Sequence, residues 1–171
     1  MASLFDSFFN KQTFCFILES TQKIFHVHSG LREFFPTKEQ GGKIDEIGPN
    51  IMKWFGNVCV LGRLSETKLF MYQFLKNLIS HREVLQTSEK FQIYEEFDLF
   101  DAFELGSKLI NDNKIKLLPG TCVVIYLKEE HFGKKCGLFV FCDDEGKIIV
   151  DTREINHDAL LTFGSSALFI R

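Results

Sequence analysis

Residues 121–151, TCVVIYLKEEHFGKKCGLFVFCDDEGKIIVD, decide the fold of this chain. Two apolar runs, 121–127 and 137–142, are rich in Val, Ile, Leu and Phe, and a third run follows at 147–151. Short apolar runs that end at polar or glycine residues are typical of strands buried in a sheet. The segment 143–146 is predicted to be a tight acidic turn between the second and third runs. The sequence therefore predicts three consecutive strands in an antiparallel meander.

Three helices are predicted around this meander. Residues 97–111, FDLFDAFELGSKLIN, carry apolar side chains along one wide helical stripe. Residues 156–170 also have apolar residues at helical intervals and predict a closing helix. A short amphipathic helix is predicted at the N-terminus, where four apolar residues recur at helical spacing among the first nine positions. The predicted fold class is α+β, an antiparallel sheet flanked by N-terminal, central and C-terminal helices, in one domain that spans 1–171.

The remaining segments give weaker patterns. Residues 36–49, PTKEQGGKIDEIGP, are polar and rich in Gly and Pro, which predicts a long exposed loop. Residues 57–64 predict a strand, and the alternation in residues 90–95 predicts another. Residues 68–79 have apolar positions whose spacing favours a helix over a strand.

Charge and hydropathy narrow the classes of partner. The chain has 171 residues and a net charge of −3, with both signs mixed along the sequence. Nucleic-acid-binding proteins usually carry a basic patch that neutralises phosphates, and none is visible in the sequence, so no nucleic acid is predicted as a partner. No apolar stretch approaches the ~18 residues that a membrane span needs, so no membrane association is predicted.

Cysteine usage and the first residues predict the compartment. The five cysteines are odd in number, form no CxxC pair and lie mostly among apolar residues, where free cysteine behaves as a small apolar side chain. The N-terminus lacks the basic start and long apolar run of a signal peptide. The chain is therefore predicted to keep its thiols free in the cytoplasm or nucleus, and not to be secreted.

One pair of residues points to nucleophilic catalysis. Cys136 follows His131 closely, and Asp143 or Asp151 is available to orient the imidazole, as in a small cysteine-dependent hydrolase or deamidase. Nucleophiles usually lie at a turn or a helix N-terminus, however, whereas Cys136 is predicted to begin a strand. A non-enzymatic protein is therefore favoured, and the feature that would argue for an enzyme is a cysteine exposed beside a histidine.

No metal or cofactor site is predicted. His26 and His28 form an HVH pair, but no further ligands at a fitting spacing complete a zinc site. Asp143, Asp144 and Gly146 lie in a segment without the ligand pattern of a calcium loop, so they are predicted to be structural turn residues. The sequence also lacks a glycine-rich phosphate loop.

The N-terminal helix is the first predicted binding segment. Phe5, Phe8 and Phe9 lie close together in it, and one helix face cannot bury all the apolar residues there. Those left exposed would form an apolar patch that binds another protein or a second copy of the chain. The alternative is that all of them pack inside as core.

The 36–49 loop is the second predicted binding segment. It is polar and glycine-rich, so it is predicted to lie on the surface and to be mobile. Lys38, Glu39 and Lys43 are its candidate contacts.

The last part of the chain resembles a known superfamily. Residues 137–171, GLFVFCDDEGKIIVDTREINHDALLTFGSSALFIR, contain a strand, an acidic turn with glycine, a strand that ends in an acidic residue, and a predicted helix with small residues before an aromatic one. This order is similar to the closing segment of the SUKH superfamily. Upstream, residues 58–72, VCVLGRLSETKLFMY, look like the apolar-Leu-Gly segment of its viral branch, the US-twenty-two family of herpesviruses and other large DNA viruses.

The resemblance implies a non-enzymatic α+β binding module without a cofactor. Bacterial members of the superfamily look like immunity proteins that bind and neutralise toxins, and viral members are associated with blocking host defences. It therefore implies a viral protein that binds and neutralises a host defence or cell-death factor. A structural or oligomerising protein is the other non-enzymatic alternative.

Overall fold

The computed structural model describes residues 9–18, 24–61, 67–74, 78–90, 92, 96–112, 116–161 and 165–170. The helices in these residues are α1 (Val27–Phe34), α2 (Pro49–Phe55), α3 (His81–Lys90) and α4 (Leu99–Asn111), and a 3₁₀ turn spans Lys38–Gln40. The strands are β1 (Phe9–Leu18), β2 (Ile24–His26), β3 (Glu46–Ile47), β4 (Cys59–Leu61), β5 (Thr67–Phe74), β6 (Ile79–Ser80), β7 (Cys122–His131), β8 (Lys134–Cys142), β9 (Ile148–Glu154), β10 (Leu160–Leu161) and β11 (Ser166–Ile170). The predicted α+β class is confirmed.

Seven of the described strands form one sheet, in the order β1-β5-β11-β7-β8-β9-β3, and this sheet is mixed rather than antiparallel as predicted. β7, β8 and β9 are consecutive antiparallel neighbours, so the meander predicted from residues 121–151 is confirmed. β11 lies parallel to β7, and β3 lies parallel to β9 at the sheet edge. The short strands form two further antiparallel pairs, β2 with β4 and β10 with β6.

The meander is covered on both faces. Residues 123–127 of β7 are all buried, as expected for a strand with no solvent-facing side. One face joins the central helix α4 in a single apolar cluster, which includes Val123, Ile125, Leu127, Leu138, Val140, Leu99 and Phe103. On the other face, Tyr126 and Phe139 contact His81 at the start of α3. The helix predicted for residues 97–111 is thus confirmed and supplies much of the core.

The closing helix predicted for residues 156–170 is wrong, because two strands occupy its described part. β10 pairs with β6, and β11 lies between β5 and β7 in the large sheet. Residues 167–170, ALFI, form a continuous apolar run of only four residues. The spacing of apolar residues cannot distinguish such a short run from a helix.

The helix predicted for residues 68–79 is wrong for the same reason. β5 occupies most of that segment and is antiparallel to β1 on one edge and to β11 on the other. The strand predicted for residues 57–64 is confirmed in its centre by β4.

Two predicted elements fall partly outside the described residues. In the strand predicted for 90–95, Lys90 is instead the last residue of α3, and residues 91 and 93–95 lie outside the described residues. In the predicted N-terminal helix, residues 3–8 lie outside them, and Phe9 is the first residue of β1.

Segment 36–49 is not the free polar loop that its composition predicts. It contains a 3₁₀ turn and the edge strand β3, which pairs with β9. The N–H of Lys38 donates to the carbonyl oxygen of Ile44 at 2.8 Å, and the N–H of Gly48 donates to that of Val150 at 2.8 Å. Ile44 is buried in the core and anchors the segment. Backbone pairing and the buried side chain of Ile44 therefore hold the segment against the sheet.

The acidic turn at 143–146 has the predicted form. Oδ1 of Asp143 accepts hydrogen bonds from the N–H groups of Glu145 at 2.9 Å and Lys147 at 2.8 Å. Gly146 has a φ of +83°, a conformation that glycine adopts without strain. Asp144 is exposed. Asp143 and Gly146 therefore hold the turn, and Asp144 forms its surface.

Candidate functional site

The turn between β7 and β8 presents an exposed phenylalanine. His131 and Lys134 are the last paired residues of the two strands, and Phe132 and Gly133 form the two-residue turn between them. Both have a positive φ, 49° for Phe132 and 73° for Gly133, as in a type I′ hairpin turn. Asn, Asp and Gly are favoured at such positions, and an aromatic residue there is uncommon. Phe132 is 90% exposed, so the hairpin holds a large apolar side chain in solvent in an unfavourable backbone conformation.

Three aromatic residues lie together at this turn, and we call Trp54, His131 and Phe132 the aromatic tip. The imidazole of His131 lies nearly parallel to the indole of Trp54, with ring centroids 4.2 Å apart and an interplanar angle of 17°. The ring of Phe132 lies 4.4 Å from that of His131. Because Trp54 belongs to α2, the tip joins the hairpin to a helix that is distant in sequence.

A buried carboxylate fixes the position of α2. Oδ1 of Asp151 accepts hydrogen bonds from the backbone N–H groups of Asn50 at 3.1 Å and Ile51 at 3.3 Å, in the first turn of the helix. Pro49, the first helical residue, has no N–H to satisfy. Burial raises the pKa of Asp151, and the hydrogen bonds from backbone N–H groups partly offset this. β9 therefore supplies the N-terminal cap of the helix that carries Trp54.

Charged side chains surround the aromatic tip. Oε1 of Glu154 lies 3.1 Å from Nδ1 of His131, and its Oε2 accepts a hydrogen bond from Nζ of Lys134 at 2.9 Å. The hydrogen bonds from Lys134 and then from His131 hold the pKa of Glu154 below its usual range. Glu130 and Lys53, each next in sequence to a residue of the tip, are exposed. An apolar centre with a rim of both charges is the composition of a protein–protein interface.

The structure does not join Cys136 and His131 as a nucleophile and its base. Cys136 is buried, and its Sγ donates to a backbone carbonyl oxygen at 3.4 Å. Burial raises the pKa of the Cys136 thiol, which opposes formation of the thiolate. The cleft of about 500 Å³ that Cys136 lines therefore offers no exposed sulfur. The carboxylate that contacts His131 is Glu154, whereas Asp143 holds a turn and Asp151 caps a helix.

The candidate contacts in segment 36–49 mostly hold the segment in place. Nζ of Lys38 pairs with Oδ1 of Asp45 at 2.6 Å, and this hydrogen bond lowers the pKa of Asp45. Nζ of Lys43 donates to the backbone carbonyl oxygens of the last two residues of α4, at 3.4 and 2.9 Å. A lysine at this position caps the helix and complements its dipole. Glu39 is exposed.

The aromatic candidates near the N-terminus are not placed by the structure. Phe5 and Phe8 lie outside the described residues. The backbone of Phe9 begins β1, and its side chain lies outside the described part. The N-terminal apolar patch therefore stays a prediction.

A different cysteine is exposed beside a histidine. Sγ of Cys59 lies 2.9 Å from Nδ1 of His26, and both residues are exposed. They lie opposite each other where β2 pairs with β4. The two residues are 33 positions apart, so sequence spacing gave no sign of the contact. An exposed cysteine beside a histidine is the feature expected to argue for an enzyme, and the structure shows it at Cys59 and His26 rather than at Cys136 and His131.

Three further observations bear on function. No group of three or more His, Cys, Asp or Glu side chains in the described residues is arranged to hold a metal ion. Within the same residues, no helix has the length and apolar character that crossing a membrane requires. Comparisons with protein-family models, curated proteins and solved structures found no match.

The aromatic tip is the feature that sequence reasoning missed. Part of its signal is local, because Phe132 and Gly133 separate two strand-forming runs by two residues with glycine in the second place. The contribution of Trp54 has no local signal, because its contact with His131 depends on how α2 packs beside the meander.

Proposed function

We propose that this protein is a non-enzymatic protein-binding module whose contact surface centres on the aromatic tip. The observation that carries the proposal is Phe132, which is 90% exposed at a positive φ. Residues in sparsely populated backbone conformations cost on the order of 1–3 kcal/mol and cluster at functional sites. An exposed aromatic ring in that conformation is explained by a use outside the folded protein itself.

The chemistry of the tip defines the partner surface that would fit it. Aromatic side chains at the centre of an interface often contribute most of the binding free energy when a pocket encloses them. The imidazole of His131, which stacks on Trp54, lies beside the ring of Phe132 and leaves most of that ring exposed. The partner should therefore offer an apolar pocket deep enough for a phenyl ring, with polar groups around its edge.

The charges around the tip favour a protein over a nucleic acid or a membrane surface. Lys134 is paired with Glu154, and Glu130 and Lys53 add one charge of each sign to the exposed rim. Such a balanced rim does not favour a strongly anionic partner, because phosphate-rich surfaces select for an excess of Lys and Arg.

The resemblance to the SUKH superfamily is the other support for this class of function, although β10 and β11 replace the closing helix that formed part of its pattern. Its viral branch favours a host defence or cell-death factor as the partner, bound in the cytoplasm or nucleus. The aromatic tip itself indicates only the chemistry of the pocket, so this partner class rests on the resemblance.

The experiment compares two exposed apolar side chains. Cross-linking of the tagged protein in extract identifies a partner, and affinity is then measured with both proteins purified. Phe132→Ala should weaken binding by roughly 30-fold, because hot-spot truncations cost about 2 kcal/mol or more. Leu160→Ala is the matched control, since Leu160 is also exposed (55%) but lies in β10, outside the tip. It should change the affinity by no more than about twofold.

Two outcomes would count against the proposal. Equal affinities of Phe132→Ala and the wild type would remove the tip from the interface. Sedimentation of the protein alone gives the second outcome. If the wild type self-associates and Phe132→Ala does not, the tip mediates contacts between copies of this chain.

A further inference from the structure

We infer that Cys59 and His26 form a reactive thiol pair that takes up small disulfides, which makes Cys59 a site of reversible modification. The two residues face each other across the antiparallel pair β2–β4, and Sγ lies 2.9 Å from Nδ1. Both residues are exposed, so a small reagent reaches the sulfur without unfolding. The pair is independent of the aromatic tip.

The other described cysteines lack this arrangement. Cys122, Cys136 and Cys142 also carry free thiols, but burial raises the pKa of each one. Each contacts an oxygen atom rather than a nitrogen base, namely the hydroxyl of Ser165 or a backbone carbonyl. A reagent reaches only an exposed sulfur, and Cys59 is the exposed one with a nitrogen base beside it. Among these four thiols, the chemistry therefore selects Cys59.

The local backbone holds the pair together. His26 immediately precedes α1, and the N–H of Val27 donates to the carbonyl oxygen of Val58 at 3.2 Å. The side chain of His26 does not cap α1, so its ring is free to face the sulfur. The first turn of α1, which follows His26 directly, contains no acidic residue.

In the proposed exchange, Cys59, His26 and the disulfide reagent account for every proton and electron that moves. Nδ1 of His26 takes the S–H proton, and the sulfur of Cys59 attacks one sulfur of the reagent. The S–S bond of the reagent breaks as the bond from Cys59 to its half forms, and the other half leaves as a thiolate that takes up the proton. Cys59 is oxidised to a mixed disulfide, and one half of the reagent is reduced to a thiol.

The test follows the reaction of the folded, full-length protein with an aromatic disulfide reagent and with oxidised glutathione. Peptide mapping by mass spectrometry should place the first modification on Cys59. At about pH 7, His26→Gln should slow this modification roughly tenfold, and the difference should disappear above about pH 9, where ordinary thiols ionise unaided. A purely structural role for His26 would not produce that pH profile.

Two variants control for folding and for histidine content. His28→Gln removes an exposed histidine two residues away and should leave the rate at Cys59 unchanged. Cys59→Ser should remove the fast phase and leave the slower thiols as they are. The inference is overturned if the fast reaction maps to another cysteine, or if His26→Gln and the wild type react at equal rates near pH 7. Peptide mapping of the wild-type protein shows which cysteine reacts first, even where a variant does not fold.

Discussion

Replacing Asp151 with alanine should lower the free energy of unfolding by about 3 kcal/mol. Asp151 is buried and accepts hydrogen bonds from two backbone N–H groups in the first turn of α2. Ile51, one of the donors, is fully buried, so removing the carboxylate takes the acceptor away from a buried N–H group. The chain has a single tryptophan, and it lies in α2, so urea unfolding followed by its fluorescence measures both stability and the order of this helix.

Two other variants separate the cap from a general effect of charge. Asp144→Ala removes an exposed acid from the turn and should change the free energy of unfolding by less than about 0.5 kcal/mol. Asp151→Asn keeps the shape and one acceptor oxygen, so its loss should be smaller than that of Asp151→Ala. If Asp151→Ala and Asp144→Ala unfold at the same urea concentration, Asp151 does not hold α2.

The protein should lose about 3 kcal/mol of stability through His81 as the pH falls from about 6.5 to about 4. Burial lowers the pKa of His81 to about 4, and the charge of His157 adds to this. In that pH range the unfolded chain binds a proton at His81 and the folded protein does not, so acid favours unfolding. The imidazole lies against the rings of Tyr126 and Phe139, with Nδ1 2.9 Å from the Tyr126 hydroxyl.

Unfolding in urea at about pH 7 and about pH 4.5 measures this effect as a difference between the two conditions. His81→Phe keeps an aromatic ring but cannot titrate, so it should remove most of the pH dependence in this range whatever its stability at neutral pH. Tyr126→Phe removes the hydroxyl and keeps the imidazole, so it should keep the pH dependence. A His81→Phe protein with the pH dependence of the wild type would show that His81 takes up its proton in the folded state as easily as in the unfolded one.

The parts of the fold that follow from local sequence were predictable. The meander has apolar runs separated by turn residues, and Asp143 and Gly146 mark one turn by their own chemistry. The α4 helix has a stripe long enough to distinguish it from a strand. By contrast, β5 and β11 are interior strands, and their apolar runs carry no period that separates a strand from a helix.

The candidate sites depended on contacts that no local pattern encodes. The cap of α2 by Asp151 joins residues about a hundred positions apart, and the contact of Cys59 with His26 joins two separate strands. Lys43 was predicted to contact a partner, yet its position opposite the end of α4 gives it a structural role that becomes visible only in three dimensions.

Measuring both folding stability and partner affinity of Phe132→Asn tests the proposed binding surface most directly. Asparagine tolerates the positive φ of this position and forms the Asn-Gly sequence that type I′ turns favour. The variant should therefore be as stable as the wild type or up to about 1 kcal/mol more stable, while its affinity for the purified partner falls roughly 30-fold. Wild-type affinity in a folded Phe132→Asn protein would contradict the account, because the exposed ring would then have no part in binding.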